Sequence, residues 1–228
     1  MTKAIGDLFV YTAIYSSVLF LFAFFFNFKL SMRELPLKII ASYLLYEFLT
    51  DQVALAYDES PLVVFIAYSI FTVVELLLFS YCFYTIVKSK SAAKVIPIVG
   101  IGFAIFALIY FLTTKRRILD TVPIGVETII VICFSCYYLF EQINDMSTVF
   151  VYDRYAFWLV TGMLLYLAGS CFIYIFANQV DAVTRSQLWI YTNIFIIIKK
   201  LLFAISILIF LKQKKLSRDK QRNVITLN

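Results

Sequence analysis

Long apolar runs alternate with short polar breaks along the whole chain. Seven runs, at residues 8–28, 39–57, 62–87, 95–114, 121–142, 155–177 and 187–211, are each long enough to cross hydrocarbon. A spanning helix needs about 20 mostly apolar residues. The runs are continuous, whereas strands of a transmembrane barrel alternate apolar and polar residues over about ten positions. The pattern therefore predicts an all-α integral membrane protein, a single seven-helix bundle over residues 1–228 with a short basic C-terminal tail. The first run is longer than a signal-peptide h-region and no A-x-A-like cleavage site follows it, so it is expected to be a retained helix. The breaks and the tail are too short to hold a folded soluble domain.

Composition agrees with the pattern. Hydrophobic residues make up 63% of the chain, against about 45–50% in soluble domains. Lys and Arg are unevenly placed. Lys29, Arg33, Lys38, Lys88, Lys90, Lys94, Arg154 and six residues of the tail lie on one side, thirteen in all, against five (Lys3, Lys115, Arg116, Arg117 and Arg185) on the other. Cytoplasmic loops are enriched in Lys and Arg, which predicts an external N-terminus and a cytoplasmic C-terminus; the cluster Lys115–Arg117 is the one that argues against it. The net charge of +6 and the tail KQKKLSRDKQR suit anionic lipid headgroups at the inner surface rather than a nucleic-acid arm. The lipid bilayer is thus the expected partner, and nucleic acid is not.

Several chemistries are excluded by residue type. The chain has no histidine, so Ser-His-Asp and Cys-His catalysis, H-E-x-x-H metal sites and histidine proton relays are ruled out. Cys82, Cys133, Cys136 and Cys171 all fall inside apolar runs and read as small lipid- or core-facing groups; no metal site, disulfide framework or cofactor is implied. Glu47 and Asp51, at i and i+4, share a helix face, but intramembrane hydrolysis needs carboxylates converging from separate helices, and no catalytic residue is assigned.

The informative residues are the charges within the runs. Lys199 and Lys200 lie near the middle of the seventh run, Glu47 near the middle of the second and Glu75 near the middle of the third; Asp51 and Glu127 lie closer to the outer surface. A charge at bilayer depth costs roughly 2.5–3.5 kcal/mol on insertion scales, so such groups face one another or water and mark functional sites by default. Tyr43, Glu47 and Asp51 form one polar stripe, and Tyr68, Thr72 and Glu75 another. At least one lysine is expected to pair with Glu75 or Glu47 in an interior that opens outward past Asp51 and Glu127. Adjacent helical residues point about 100° apart, so the two lysines are not expected to share a partner. The sixth run places Gly162, Tyr166, Ser170 and Tyr174 at i+4 steps with Gly169 beside them, a pattern of close helix contact. Trp158 and Trp189 read as interfacial anchors. Pro97 and Pro123 fall in the first turn of their runs, where a missing N–H costs little. Asp153-Arg154-Tyr155 reads as a chance match to a receptor triplet, and no internal repeat is evident.

A lysine in the seventh run with a carboxylate in the third is similar to the microbial rhodopsins, but that family's Arg and Asp pattern and retinal-sandwiching tryptophans are missing. A second resemblance covers more of the chain. The stretches ASYLLYEFLTD, YSIFTVVELLLFSYCFY, ETIIVICFSCYYLFEQI, YAFWLVTGMLLYLAGSCFIYIF and LWIYTNIFIIIKKLLFAI resemble an uncharacterised group of bacterial seven-helix membrane proteins. That group carries a Glu in the third span, an F-W-x-x-x-G-x-x-x-Y-like sixth and a W-I-x-x-N-I-x-x-I-x-K-like seventh, matched here at Glu75, at Phe157, Trp158, Gly162 and Tyr166, and at Trp189, Ile190, Asn193, Ile194 and Lys199. Lys200 stands where an Asn is expected, which makes Lys199 the firmer site residue. Its members resemble the sensory membrane portions that accompany histidine kinases. The resemblance implies a multi-pass protein of the bacterial inner (plasma) membrane with a role in signal transduction.

The resulting expectation is a receptor-like sensor. A small apolar or zwitterionic ligand enters a polar pocket formed by Tyr43, Glu47, Asp51, Glu75, Glu127, Tyr166, Asn193, Lys199 and Lys200, and a cytoplasmic partner carries the signal, since no output domain is evident. The alternative is a proton- or ion-coupled transporter using the same carboxylates and lysine. A lipid-modifying membrane enzyme is a third reading.

Overall fold

The computed structural model describes residues 3–57, 59–113, 121–145, 150–176 and 180–226, and these are helical almost throughout. The helices are α1 (Lys3–Tyr15), α2 (Ser17–Phe26), α3 (Phe28–Ser31), α4 (Leu35–Ala56), α5 (Pro61–Ile86), α6 (Lys90–Thr113), α7 (Thr121–Ile143), α8 (Tyr155–Phe176) and α9 (Ala182–Thr226). Among the described residues there is no strand, and seven helical stretches are long and apolar enough to cross a membrane. The chain is built as a multi-pass helical membrane protein. Its outward faces are as greasy as its interior: Phe26, Phe172, Ile98, Leu112 and Ile143 are mostly exposed. Helices that are apolar all round are typical of a membrane span.

The helices extend beyond the apolar runs that announce them, because hydropathy marks the stretch that suits hydrocarbon and not the turns that continue into the interface. α6 begins at Lys90, so Pro97 lies inside the helix and not in its first turn as its apolar run suggests. There it removes one ladder donor. Pro123 does fall in the first turn of α7. The seventh span continues without a break through the tail to Thr226. Lys115–Arg117 lies outside the described residues, as do the side chains of Lys3, Tyr174 and Arg185.

The first span is broken at Ser16. The Ser16 hydroxyl donates to the Ala13 carbonyl at 2.8 Å and that of Ser17 to Ile14 at 3.0 Å, while the Ser16 N–H still bonds the Thr12 carbonyl at 3.0 Å and the Leu19 N–H bonds Ser16, three residues back instead of four. Paired small hydroxyl residues are a known cause of such breaks.

Contacts between elements arrange α1/α2, α4, α5, α7, α8 and α9 in a closed ring, with α6 outside, packed on α5 and lightly on α7. One end of this ring is tied by polar contacts. Glu141 accepts the Lys88 and Ser89 backbone N–H groups at 2.7 and 2.8 Å, satisfying donors ahead of α6. Asp145 pairs with Lys88 and, at 2.6 Å, with Arg154, and Lys214 reaches Glu34 at 2.9 Å. Arg154 of the Asp-Arg-Tyr triplet thus ties the segment after α7 to the start of α8. Toward this end the interior is solid: Leu44, Phe79, Phe83, Leu159, Phe203 and Phe210 are fully buried.

Candidate functional site

Five elements of the ring bring polar groups to one place halfway along the bundle. Lys199 and Lys200, on α9, are both 0% exposed. Lys199 Nζ donates to Glu47 Oε1 on α4 at 2.9 Å and to the Tyr43 hydroxyl one turn away. Its ammonium also lies 3.8 Å from the centroid of the Tyr166 ring on α8, a distance at which the ring quadrupole attracts a cation. Tyr43 in turn donates to Glu75 Oε1 on α5 at 2.7 Å. The lysine expected to meet Glu47 or Glu75 therefore meets both, the first directly and the second through a phenol that accepts on one side and donates on the other.

Lys200 departs from expectation. It lies 3.4 Å from Glu47 Oε2, so both lysines share one carboxylate, one on each oxygen. Four-carbon stems allow this: the backbone directions diverge by about 100°, but a carboxylate placed between them is within reach of both ammonium groups. The Lys200 contact with Glu47 is an ion pair without hydrogen-bond alignment, since Oε2 accepts no hydrogen bond. The directed bond of Lys200 goes to the Ala13 carbonyl at 2.7 Å, beside the break in the first span.

Close approach of α8 to α9 seats this network. A Cβ on Gly162 would lie 2.9 Å from the Phe203 ring and 3.3 Å from the Lys199 carbonyl, and one on Gly169 would overlap the Phe195 ring. The glycines of the sixth span are contact residues, as their spacing predicts.

Above the network is a cavity of about 1010 Å³. It runs along α5 from Pro61 to Glu75, about 21 Å at 1.5 Å per residue. Its floor is formed by Glu47, Glu75 and Tyr166, and its walls carry Asp51, Glu127 and Asn193. Its outer part is bounded by the last turn of α4 at Leu55, the first turn of α5 and the last turns of α6 at Phe111. That end of the bundle is opposite the one tied by Lys88, Asp145 and Arg154. Six of the nine residues singled out in the sequence line the cavity, and the other three, Tyr43, Lys199 and Lys200, lie beneath it.

Other wall residues carry weaker sequence signals. Trp189 lines the cavity instead of serving only as an interfacial anchor, and Tyr68 stands beside Asp51. Thr192 is 1% exposed with a hydroxyl that has no hydrogen-bond partner among the described residues. Its helical offset of three from Trp189 puts both on the inner face of α9, a signal that an apolar run with one threonine does not announce. Glu127 is 1% exposed, and its Oε1 likewise has no partner. Among the described residues no cluster of metal-ligating side chains occurs. Cys82 is buried, while Cys133 and Cys136 face outward and are unpaired.

Comparison of the chain with protein-family models, curated proteins and solved structures finds no match.

Proposed function

We propose that this chain is a receptor-like membrane sensor that binds a small molecule in the cavity and signals by moving α9. With the basic end taken as cytoplasmic, by the distribution of Lys and Arg, the cavity opens outward and the tail enters the cytoplasm. The observation that carries the reading is the continuity of α9. One uninterrupted helix supplies both lysines beneath the cavity and runs on from Lys200 to Thr226, about 39 Å further. A ligand that contacts Glu47 or Glu75 competes with Lys199 and Tyr43 for those carboxylates, which is the differential interaction a two-state switch requires. The resemblance to bacterial sensory membrane proteins supports the same reading, in which the chain lies in the inner membrane and a cytoplasmic partner reads the tail.

Proton- or ion-coupled transport is the second reading, favoured by carboxyls at several heights, from Asp51 down to Glu75. Against it stands the solid apolar half below the network. Two measurements separate the readings. Spin labels at Arg33 and Leu216, in a background lacking the four native cysteines, should show a changed distance distribution in lipid nanodiscs on Lys199→Met substitution. An unchanged distribution, together with proton flux in liposomes that Glu75→Gln abolishes, would replace the sensor with a transporter.

A further inference from the structure

The geometry points to an organic ammonium compound, a protonated amine on a flat apolar body, as the ligand class of this cavity; this rests on the reading of the cavity as a ligand site. The two lysines invite the opposite conclusion, an anionic ligand, but they are not presented to the cavity. Both are 0% exposed, and Glu47, Tyr43, Tyr166 and the Ala13 carbonyl surround their ammonium groups. The cavity wall instead presents four carboxyl groups, Glu47, Asp51, Glu75 and Glu127, and no lysine or arginine among its described lining residues.

These four have unequal partners. Glu47 is matched by both lysines, Glu75 receives the Tyr43 hydroxyl, and Asp51 has the Tyr68 phenol beside it. Glu127 is the exception: it is 1% exposed, lines the cavity, and its Oε1 has no hydrogen-bond partner among the described residues. The Thr192 hydroxyl lines the same cavity, equally buried and unpartnered. A buried polar group without a partner is rare in a native structure and calls for a missing donor. An ammonium supplies up to three N–H donors, enough for the Glu127 carboxylate and the Thr192 hydroxyl together. The formal charges agree, since both lysines pair with Glu47 and four carboxyls against two lysines leave a formal excess of two negative charges. The volume also selects an organic cation over a bare ion. A cavity of about 1010 Å³ is at the upper end of drug-sized sites. Phe65, Phe111, Trp189 and Ile196 give it walls suited to an aromatic body, with ring faces that attract cations.

A series sharing one ring system tests the proposal. Tryptamine, tryptophol and indole-3-propionate present an ammonium, a hydroxyl and a carboxylate on the same indole. Binding of each is measured by calorimetry to the full chain in nanodiscs. Tryptamine should bind about tenfold or more tightly than the other two, the margin expected of one charge-assisted hydrogen bond. Glu127→Gln should remove that preference without changing the unfolding temperature by more than a few degrees. Equal affinity across the series, or a preference that survives Glu127→Gln, overturns the ammonium assignment. If Leu167→Trp, which fills the cavity, then abolishes that indiscriminate binding, the ligand site stands without its ammonium specificity. If none of the three binds at millimolar concentration, the assignment falls; if the α9 label distances also fail to respond to Lys199→Met, the sensor reading falls with it.

Discussion

The two halves of the bundle solve opposite problems with the same kind of helix. Toward the basic end, Phe79, Phe83, Phe203 and Phe210 are buried in the interior and, among the described residues, the ion pairs lie at the rim. Toward the other end the same helices line a cavity whose wall carries four carboxyls. The boundary is one layer thick: Tyr43, Glu47, Glu75, Lys199 and Lys200. A half that is packed to the density of a protein interior transmits displacement, because it has no slack to absorb it. A half with empty volume and unmatched polar atoms forfeits stability in order to bind. The contrast assigns recognition to one half and transmission to the other, with the charge layer between them.

Breaking the boundary layer should have the largest effect. Glu47→Ala leaves two ammonium groups buried without their carboxylate and should cost about 3–5 kcal/mol in a detergent unfolding titration, whereas replacing Glu47, Lys199 and Lys200 together by apolar residues of similar volume should cost far less or nothing. If the single and triple variants lose the same stability, the layer is not an ionic unit. Next comes the packed seam beside it. Gly162→Ala forces a methyl group against the Phe203 ring and the Lys199 carbonyl, an overpacking cost of about 1–3 kcal/mol. Gly102→Ala, where a Cβ meets nothing within 4 Å, should instead gain up to about 1 kcal/mol of helix propensity. At the rim, Lys214→Ala removes an ion pair whose partners are 42% and 26% exposed. Its effect should stay within about 1 kcal/mol and fade in high salt. Smallest of all on the unliganded protein should be Glu127→Gln, within about 0.5 kcal/mol of the parent, because the carboxyl has no partner to lose.

Much of this arrangement can be read along the chain, and the remainder fails for identifiable reasons. Seven spans follow from seven apolar runs because hydrocarbon imposes its own length. The depths of Glu47, Glu75 and Lys199 follow from counting along each run, and their meeting follows from the cost of leaving any of them in lipid. Which oxygen meets which ammonium does not follow. Lys199 and Glu47 are 152 positions apart, and the rotation of α4 and α9 about their axes is set by apolar packing that carries almost no periodic signal in helices greasy on every face. Tyr43 was visible as part of a stripe but not as the bridge to Glu75, since a phenol can donate, accept or do both. Trp189 belongs to the same class: a tryptophan near a helix end serves lipid or cavity depending on that rotation. Helix ends beyond the apolar runs, at Lys90 and after Leu211, depend on interfacial turns that hydropathy does not mark.

The interruption at Ser16 makes the beginning of the chain a dependent of its end. Ala13 offers its carbonyl to an ammonium that is also drawn toward Glu47, so α1 is latched in place by a charge with a competing allegiance. Any event that alters the grip of Glu47 on Lys200 also tightens or loosens that latch, and α1, whose Val10 and Ala13 border the cavity, is the wall such a latch would open.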